Sequence, residues 1–223
     1  NFAERKGVRT CVRELEIRRE RQKREVVTLT ENEISKIQQT EVPKELQPAK
    51  DWLLISCYTG QRFSDFMNFD YHKLQCIGEK MCLSFIQKKT KKDILLPLHP
   101  DVLNTVERNG NGFPKLLDIQ HYNTYIKEIA RLADLNVLVK SRKRFGFRSK
   151  IVEAEKWEFL SSHIGRRSFA TNFYGKIPTP LLMEATGHST EQMFLRYINP
   201  VDKDRALSLG SYFDTMYEER VAV

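Results

Sequence analysis

At 223 residues with 40% hydrophobic content, the chain is long enough to bury a substantial core, in one large domain or one domain with an appendage. Its 37 Lys+Arg against 29 Asp+Glu leave a net charge of +8, which favours a polyanionic partner, nucleic acid or an anionic membrane; charge alone does not choose between them. The longest apolar run, WLLISCY at 52–58, is too short to span a bilayer, and no signal-peptide pattern opens the chain, so an intracellular, cytoplasmic protein is expected.

The four cysteines, Cys11, Cys57, Cys76 and Cys82, form no CxxC pair and read as free thiols, indicating neither a zinc site nor a disulfide framework. The first residue is Asn rather than Met, which reads as a fragment or a processed product.

In chain order, residues 1–27 are densely charged (RELEIRRERQKRE at 13–25) and read as a linker or solvated helix. The folded part starts at TLTENEISKI, where Thr30 and Glu33 form a capping box ahead of Ile34 and Ile37. A second helix, AKDWLLISCYTG, ends at Gly60, and RFSDFMNF starts another with Phe63, Phe66 and Met67 on one face. Three strand-like runs follow, around KLQCI, KMCLSFIQ and DILLPL, with turns at Gly78-Glu79 and at the lysine-rich KKTKK, predicting a small antiparallel sheet. Helical periodicity returns in LNTVERNG and YNTYIKEIARLADL, and the basic stretch 137–160 predicts a hairpin around Gly146. From Ser162 onward short helices are expected in HIGRRSFATNFYG, TPLLMEATG, TEQMFLRYI and DKDRALSLGSYFDTMYEE, broken at Pro178, Pro180, Gly187 and Pro200. The fold class is mainly α with a small inserted antiparallel β-sheet (α+β).

Taken singly, the polar motifs have ordinary explanations. Arg62 and Asp65 make an i,i+3 surface pair, the KKTKK lysines keep a hairpin tip solvated, and Tyr197 between Leu195 and Ile198 packs as an aromatic. His163 and Arg166 share a face behind Ser162, a candidate N-cap, where a helix N-terminus favours an anion. Their joint order is more specific: an arginine, a hairpin lysine, His-x-x-Arg, Gly-His, then a tyrosine nine residues after His188.

From about residue 28 to its end the chain resembles the catalytic domain of the tyrosine recombinases, the phage and transposon integrase family. TGQRFSDF resembles that family's first arginine box, SHIGRRSFATNF its His-x-x-Arg box, and TGHSTEQMFLRYI its Gly-His and nucleophile segment; the phrasing is closest to integrases of Bacteroidetes-type mobile elements. The resemblance implies a DNA breaking-rejoining fold with Arg62, Lys89, His163, Arg166, His188 and Tyr197 as catalytic residues and Asp65 as an acidic supporter of the first arginine. Lys89 is the best match to the family's lysine, aligned through the closing Leu-Pro-Leu; Lys88, Lys91 and Lys92 stay open as alternatives and as DNA contacts. Gly165 and Arg167 stand where much of the family has Leu and His. Arg142, Lys143 and Arg144, in a hairpin longer and more basic than the family minimum, and Arg167 are further candidates to touch DNA.

The chemistry suits these residue types. A tyrosine oxygen attacking phosphorus stores phosphodiester energy as a phosphotyrosine. Two guanidiniums match the non-bridging oxygens, His163 is the candidate base, His188 a hydrogen-bond donor to the phosphate, and the lysine a general acid for the leaving 5′ oxygen. No carboxylate cluster suited to Mg²⁺ accompanies them, so no metal and no cofactor are expected.

The expected partner is double-stranded DNA, with a homotetramer on synapsed duplexes, a monomeric isolated domain, no membrane, and accessory DNA-bending or directionality proteins; the setting implied is the bacterial cytoplasm. The domain reading is a linker over 1–27 and a catalytic domain over 28–223, with the family's N-terminal core-binding domain absent. A helix over 202–219 carries Ala206, Leu209, Phe213, Met216 and Tyr217 in a stripe, for internal packing or docking on a neighbouring protomer. A type IB topoisomerase and a non-catalytic DNA-binding module are the competing readings.

Overall fold

The computed structural model describes residues 5–7, 26–146, 148–198, 210, 211, 213, 214 and 217, apart from the side chains of 144, 145 and 149. Most of the expected linker over 1–27, and Ala206, Leu209 and Met216 of the stripe over 202–219, lie outside the described residues, as does the side chain of Arg144; Phe213 and Tyr217 of the stripe are exposed.

Helix α1 (Glu31–Gln39) opens with the capping box the sequence predicts: Glu33 N–H donates to Thr30 Oγ1 and the Glu33 carboxylate accepts from Thr30 N–H. Its Ile34 and Ile37 face the core. Helix α2 (Gln47–Thr59) is buried on nearly every side, with Ala49, Trp52, Leu53 and Ile55 at 0% exposure and the polar Lys50, Asp51, Ser56 and Thr59 buried among them. Each such Leu or Ile contributes roughly 1.5–3 kcal/mol of burial. The helix's one buried carboxylate, Asp51, accepts from Gln47, Arg108 and Asn109, so its charge is fully partnered.

Gly60 ends α2 in the left-handed region (φ +66), and the chain turns at once into α3 (Phe63–Phe66). Strands β1 (Leu74–Ile77), β2 (Lys80–Ile86) and β3 (Asp93–Pro97) form one antiparallel sheet in the order β1-β2-β3, paired Leu74↔Leu83 and Leu83↔Leu96. Alternation along β3 puts Ile94 and Leu96 into the core and Leu95 out. Helices α4 (Pro100–Arg108) and α5 (Ile119–Leu132) follow, the latter capped by Asp118, and α5 brings Tyr122, Ile126 and Ile129 against α2. Strands β4 (Leu138–Phe145) and β5 (Arg148–Glu155) make a separate two-stranded sheet around the predicted turn at Gly146. The sequence reading had one inserted sheet; the pairing resolves this hairpin as a second one.

Helix α6 (Ile164–Phe173) lies along α2. The approach depends on Gly165, where a Cβ would stand 1.9 Å from Ser56 Oγ. Residues 26–30 are sewn to α6 by Leu29 N–H to Ser168 Oγ (2.8 Å) and Asn172 Nδ2 to Leu29 O (3.0 Å). Helix α7 (Thr179–Thr186) ends at Gly187 (φ +70), and α8 (Glu191–Phe194) is a single turn capped by Thr190.

Two expectations are corrected. Ser162 is not the N-cap of α6: His163 holds that position without a side-chain cap, and Ser162 is buried one residue earlier with its N–H donating to Asn123 Oδ1 at 2.7 Å. The TEQMFLRYI helix is also shorter than its periodicity suggests, since it stops at Phe194 and leaves Tyr197 in a bend. Phe194 and Ile198, both buried, anchor that bend in a small second core with Phe169, Ala170 and Leu182.

Candidate active site

The α2–α3 turn, the β2–β3 turn, the start of α6 and the segment after α7 converge on one surface. Arg166, one turn into α6, is 0% exposed yet carries a charge. Its Nη1 donates to Gly60 O (2.8 Å) and its Nη2 to Thr186 O (2.7 Å). The positive φ of Gly60 presents the first of these carbonyls, and Phe169 packs so tightly there that a Cβ would meet its ring at 2.5 Å. Burial lowers the Arg166 guanidinium to about 10, with the charge of Arg62 adding to the effect, which still leaves it cationic at neutral pH. Its Nε is buried without a hydrogen-bond partner.

His188 follows Gly187 and is buried. Arg166 Nη2 also approaches His188 Nε2 at 3.1 Å, and because a guanidinium only donates, Nε2 must accept. The proton is therefore assigned to Nδ1, shared with Thr186 Oγ1 at 2.7 Å, while that hydroxyl donates to Leu182 O at 2.6 Å. Burial first, then the charges of Arg166, Arg62 and Lys92, push this imidazole down to about 3, so it is neutral. The sequence reading has His188 as a donor to phosphate; as arranged here it accepts from Arg166 and orients it.

Tyr197 completes the group. Its ring lies 4.9 Å from that of His188, and the Arg166 Cζ stands 5.4 Å over its centroid. His163, at the head of α6, is exposed, and its pKa is lowered by desolvation and then by Arg167, Arg166, Arg62 and Lys89. Arg167 is half-buried and lowered by that burial, opposed by the Tyr197 phenol.

Arg62 sits at the N-cap of α3, with Nη1 on Gln87 Oε1 (3.1 Å) and 3.8 Å from Asp65 Oδ2. Asp65, three residues on and buried, turns its Oδ1 to the Lys88 N–H (2.8 Å), tying α3 to the lysine turn. That turn closes through Gln87 N–H to Lys92 O and Lys91 N–H to Gln87 O, both 2.9 Å, with Lys91 at φ +56. Lys88, Lys89, Lys91 and Lys92 are all exposed; the charge of Lys89 is felt at His163 and that of Lys92 at His188.

Sequence reasoning missed two residues here, Gln61 and Gln87, both 0% exposed. Gln87 Nε2 donates to Gln61 Oε1 (2.9 Å) and Thr186 O (3.1 Å), and Gln61 Nε2 donates to Thr59 O and Ala185 O. Gln61 adjoins Arg62 and Gln87 borders the lysine turn, but glutamine's polarity predicts exposure, so nothing local marks them.

The basic hairpin is less engaged. Arg142 is exposed, while Lys143 donates to Glu158 Oε2 at 2.8 Å and Lys140 pairs with Glu153 at 3.6 Å. A depression of about 610 Å³, lined by residues including Glu41, Leu46, Asn123, Tyr125 and Trp157, holds none of the catalytic candidates. The exposed lysines of the β2–β3 turn and the exposed Arg142 present positive charge to solvent, which suits a long polyanion. Among the described residues no group of three or more His, Cys, Asp or Glu could hold a metal ion, and no helix is long and apolar enough to cross a membrane.

The profile described as "Phage integrase family" matches residues 27–204. The chain belongs to the phage integrase family. No curated protein sequence matches it.

Solved structures of this fold include the XerH site-specific recombinase bound to its difH substrate in a pre-cleavage complex, 18% identical with a TM-score of 0.57, covering 86% of this chain and 55% of that one. The Tn1549 transposon integrase in complex with circular intermediate DNA is 15% identical with a TM-score of 0.58, covering 93% and 72%. A lambda integrase dimer bound to a core site is 19% identical with a TM-score of 0.54, covering 78% and 60%. This integrase-family chain thus spans about half the length of the XerH chain it matches. The mainly helical fold with small antiparallel sheets is that of the family's catalytic domain.

Proposed function

We propose that residues 28–223 act as the catalytic domain of a DNA recombinase or integrase that cleaves and rejoins double-stranded DNA through a 3′-phosphotyrosine at Tyr197. The observation that carries this reading is the Arg166 guanidinium 5.4 Å over the Tyr197 ring and the His188 ring 4.9 Å from it, with the charges of Arg62 and Arg166 felt at both His163 and His188.

The Tyr197 oxygen bonds to phosphorus as the bond to the 5′ oxygen breaks. A phenol near pKa 10 must lose its proton on the way, and His163, whose pKa is lowered by desolvation and by four neighbouring cations, is the group proposed to take it. Arg62 and Arg166 face the non-bridging oxygens and stabilise charge in the pentacoordinate state. Lys89, exposed on the turn that Asp65 anchors, delivers the proton to the departing 5′ oxygen. His188 orients Arg166 by accepting from it.

Charge neutralisation by guanidiniums makes the chemical step independent of metal ions. Lys88, Lys91, Lys92, Arg142, Lys143, Arg144 and Arg167 extend the cationic surface along the DNA backbone. Assembly as a homotetramer on two duplexes, in a bacterial cytoplasm, is the working context of this reading.

The test is a nicked suicide duplex taken from the ends of the protein's own mobile element. The full-length protein should form a covalent adduct that persists in EDTA, and Tyr197→Phe should bind the duplex yet form none. A covalent complex with the Phe variant would move the nucleophile elsewhere, and a strict Mg²⁺ requirement would point to a nuclease.

A further inference from the structure

Gln87 uses its whole hydrogen-bonding capacity inside the site. Oε1 accepts from Arg62 Nη1 (3.1 Å) and Thr90 Oγ1 (2.5 Å), and Nε2 donates to Gln61 Oε1 (2.9 Å) and Thr186 O (3.1 Å). Arg62 can only donate and a carbonyl can only accept, so the amide has one permitted orientation. Three pieces of chain meet on this side chain: the α2–α3 turn through Gln61 and Arg62, the lysine turn through Thr90, and the α7 terminus through Thr186. Thr186 O also takes Arg166 Nη2, so one carbonyl is shared by the amide and the second arginine.

We propose that Gln87 is the positioning residue that sets Arg62, the Arg166 anchor and the lysine turn relative to one another, an inference that rests on the functional reading above. Its neutrality matters. Asp65 Oδ2, buried and without a hydrogen-bond partner, lies 3.8 Å from Arg62 Nη1, close enough to draw the guanidinium into a full ion pair. An amide oxygen holds Arg62 off that carboxylate while leaving its charge for phosphate; a carboxylate in the same place would cancel it. Thr90, bonded to the same oxygen, carries the placement into the turn that holds Lys89.

The test compares wild type with Gln87→Met, which keeps length and loses all four bonds, and Gln87→Glu, which keeps shape and adds charge. Inorganic phosphate is titrated against the arginine side-chain NMR signals. Single-turnover cleavage is then measured on duplexes with oxygen or sulfur at the 5′ leaving position. Gln87→Met should bind phosphate about tenfold more weakly and cleave the oxygen substrate about 100-fold more slowly, as expected when reacting groups shift by about 1 Å. Sulfur should restore only part of that rate, and Asp65→Asn should raise phosphate affinity more in the Gln87→Met background than in the wild type, an excess that a packing defect would not produce.

Unchanged phosphate affinity in either variant overturns the proposal. So does full rescue by sulfur, which would confine Gln87 to the lysine, or a slower rate with neither affinity change nor rescue, which would make it packing only. Should Gln87→Met not fold, the Glu variant decides by the same titration. If the wild type forms no adduct, the functional reading fails by itself and the phosphate titration still decides this proposal.

Discussion

A Cβ at Gly187 would lie 2.2 Å from Oε1 of Gln87. The glycine of the Gly-His pair is therefore required twice, once by its positive φ and once by the amide packed against it. Gly187→Ala should cost about 3 kcal/mol, combining left-handed backbone strain with overpacking, and should abolish adduct formation. Urea denaturation gives the first figure and the suicide duplex the second; a loss below about 1 kcal/mol would show that the amide yields.

Gly165 and Ser56 form a second close contact, between α6 and α2. Gly165→Ala should destabilise the chain by about 2 kcal/mol, because the new methyl collides with Ser56 Oγ and also approaches its backbone carbon to 2.8 Å. Combining it with Ser56→Gly should recover more than about 0.5 kcal/mol beyond additivity in a double-mutant cycle, despite the cost of glycine within a helix. Strict additivity would place the strain elsewhere.

The histidines set an acid limit on stability. Both His163 and His188 are depressed below the ordinary 6.5, His188 to about 3, so below pH 6.5 the unfolded chain binds more protons than the folded one. Their contribution is complete above about pH 6.5 and is lost as pH falls toward 3. The urea midpoint should therefore drop between pH 7.5 and 5, and His188→Gln should flatten that drop. An equally steep fall in the variant would assign it to other groups.

Lys89 is tested by its leaving group. Lys89→Ala should slow cleavage by roughly 10²- to 10⁴-fold with little change in DNA binding, and a bridging 5′ sulfur, which needs no proton, should restore most of the rate. Arg62→Ala and Arg166→Ala should show no such recovery. Rescue of Lys88→Ala, Lys91→Ala or Lys92→Ala instead would reassign the acid.

Local signals carried much of this fold. The Thr30–Glu33 box marked α1, Gly60 and Gly187 marked two helix ends, and alternation along Asp93–Pro97 marked a strand, because each depends on neighbours within a few residues. The site residues Arg62, His163, Arg166, His188 and Tyr197 were named through the family resemblance, and the fold brings them to one surface. Gln61 and Gln87 were invisible for the opposite reason, since the bonds that join them to each other and to Ala185 and Thr186 span 26 to 124 residues and only the assembled fold buries them. The Ser162 misreading has the same origin, since its backbone is held by Asn123, 39 residues earlier, a contact only the assembled fold supplies.

The cluster of cations carries one more implication. Desolvation and then Arg62 lower Arg166, and desolvation and then four positive groups lower His163, so like charges repel within partly dehydrated protein. Folding compresses them against one another with neutral amides and carbonyls as the restraints. Any polyvalent anion that settles among them releases that compression, so the melting temperature should climb with added sulfate or pyrophosphate well beyond what ionic strength alone produces. A substrate phosphate would then be drawn in partly by the relief of a spring the fold itself has wound.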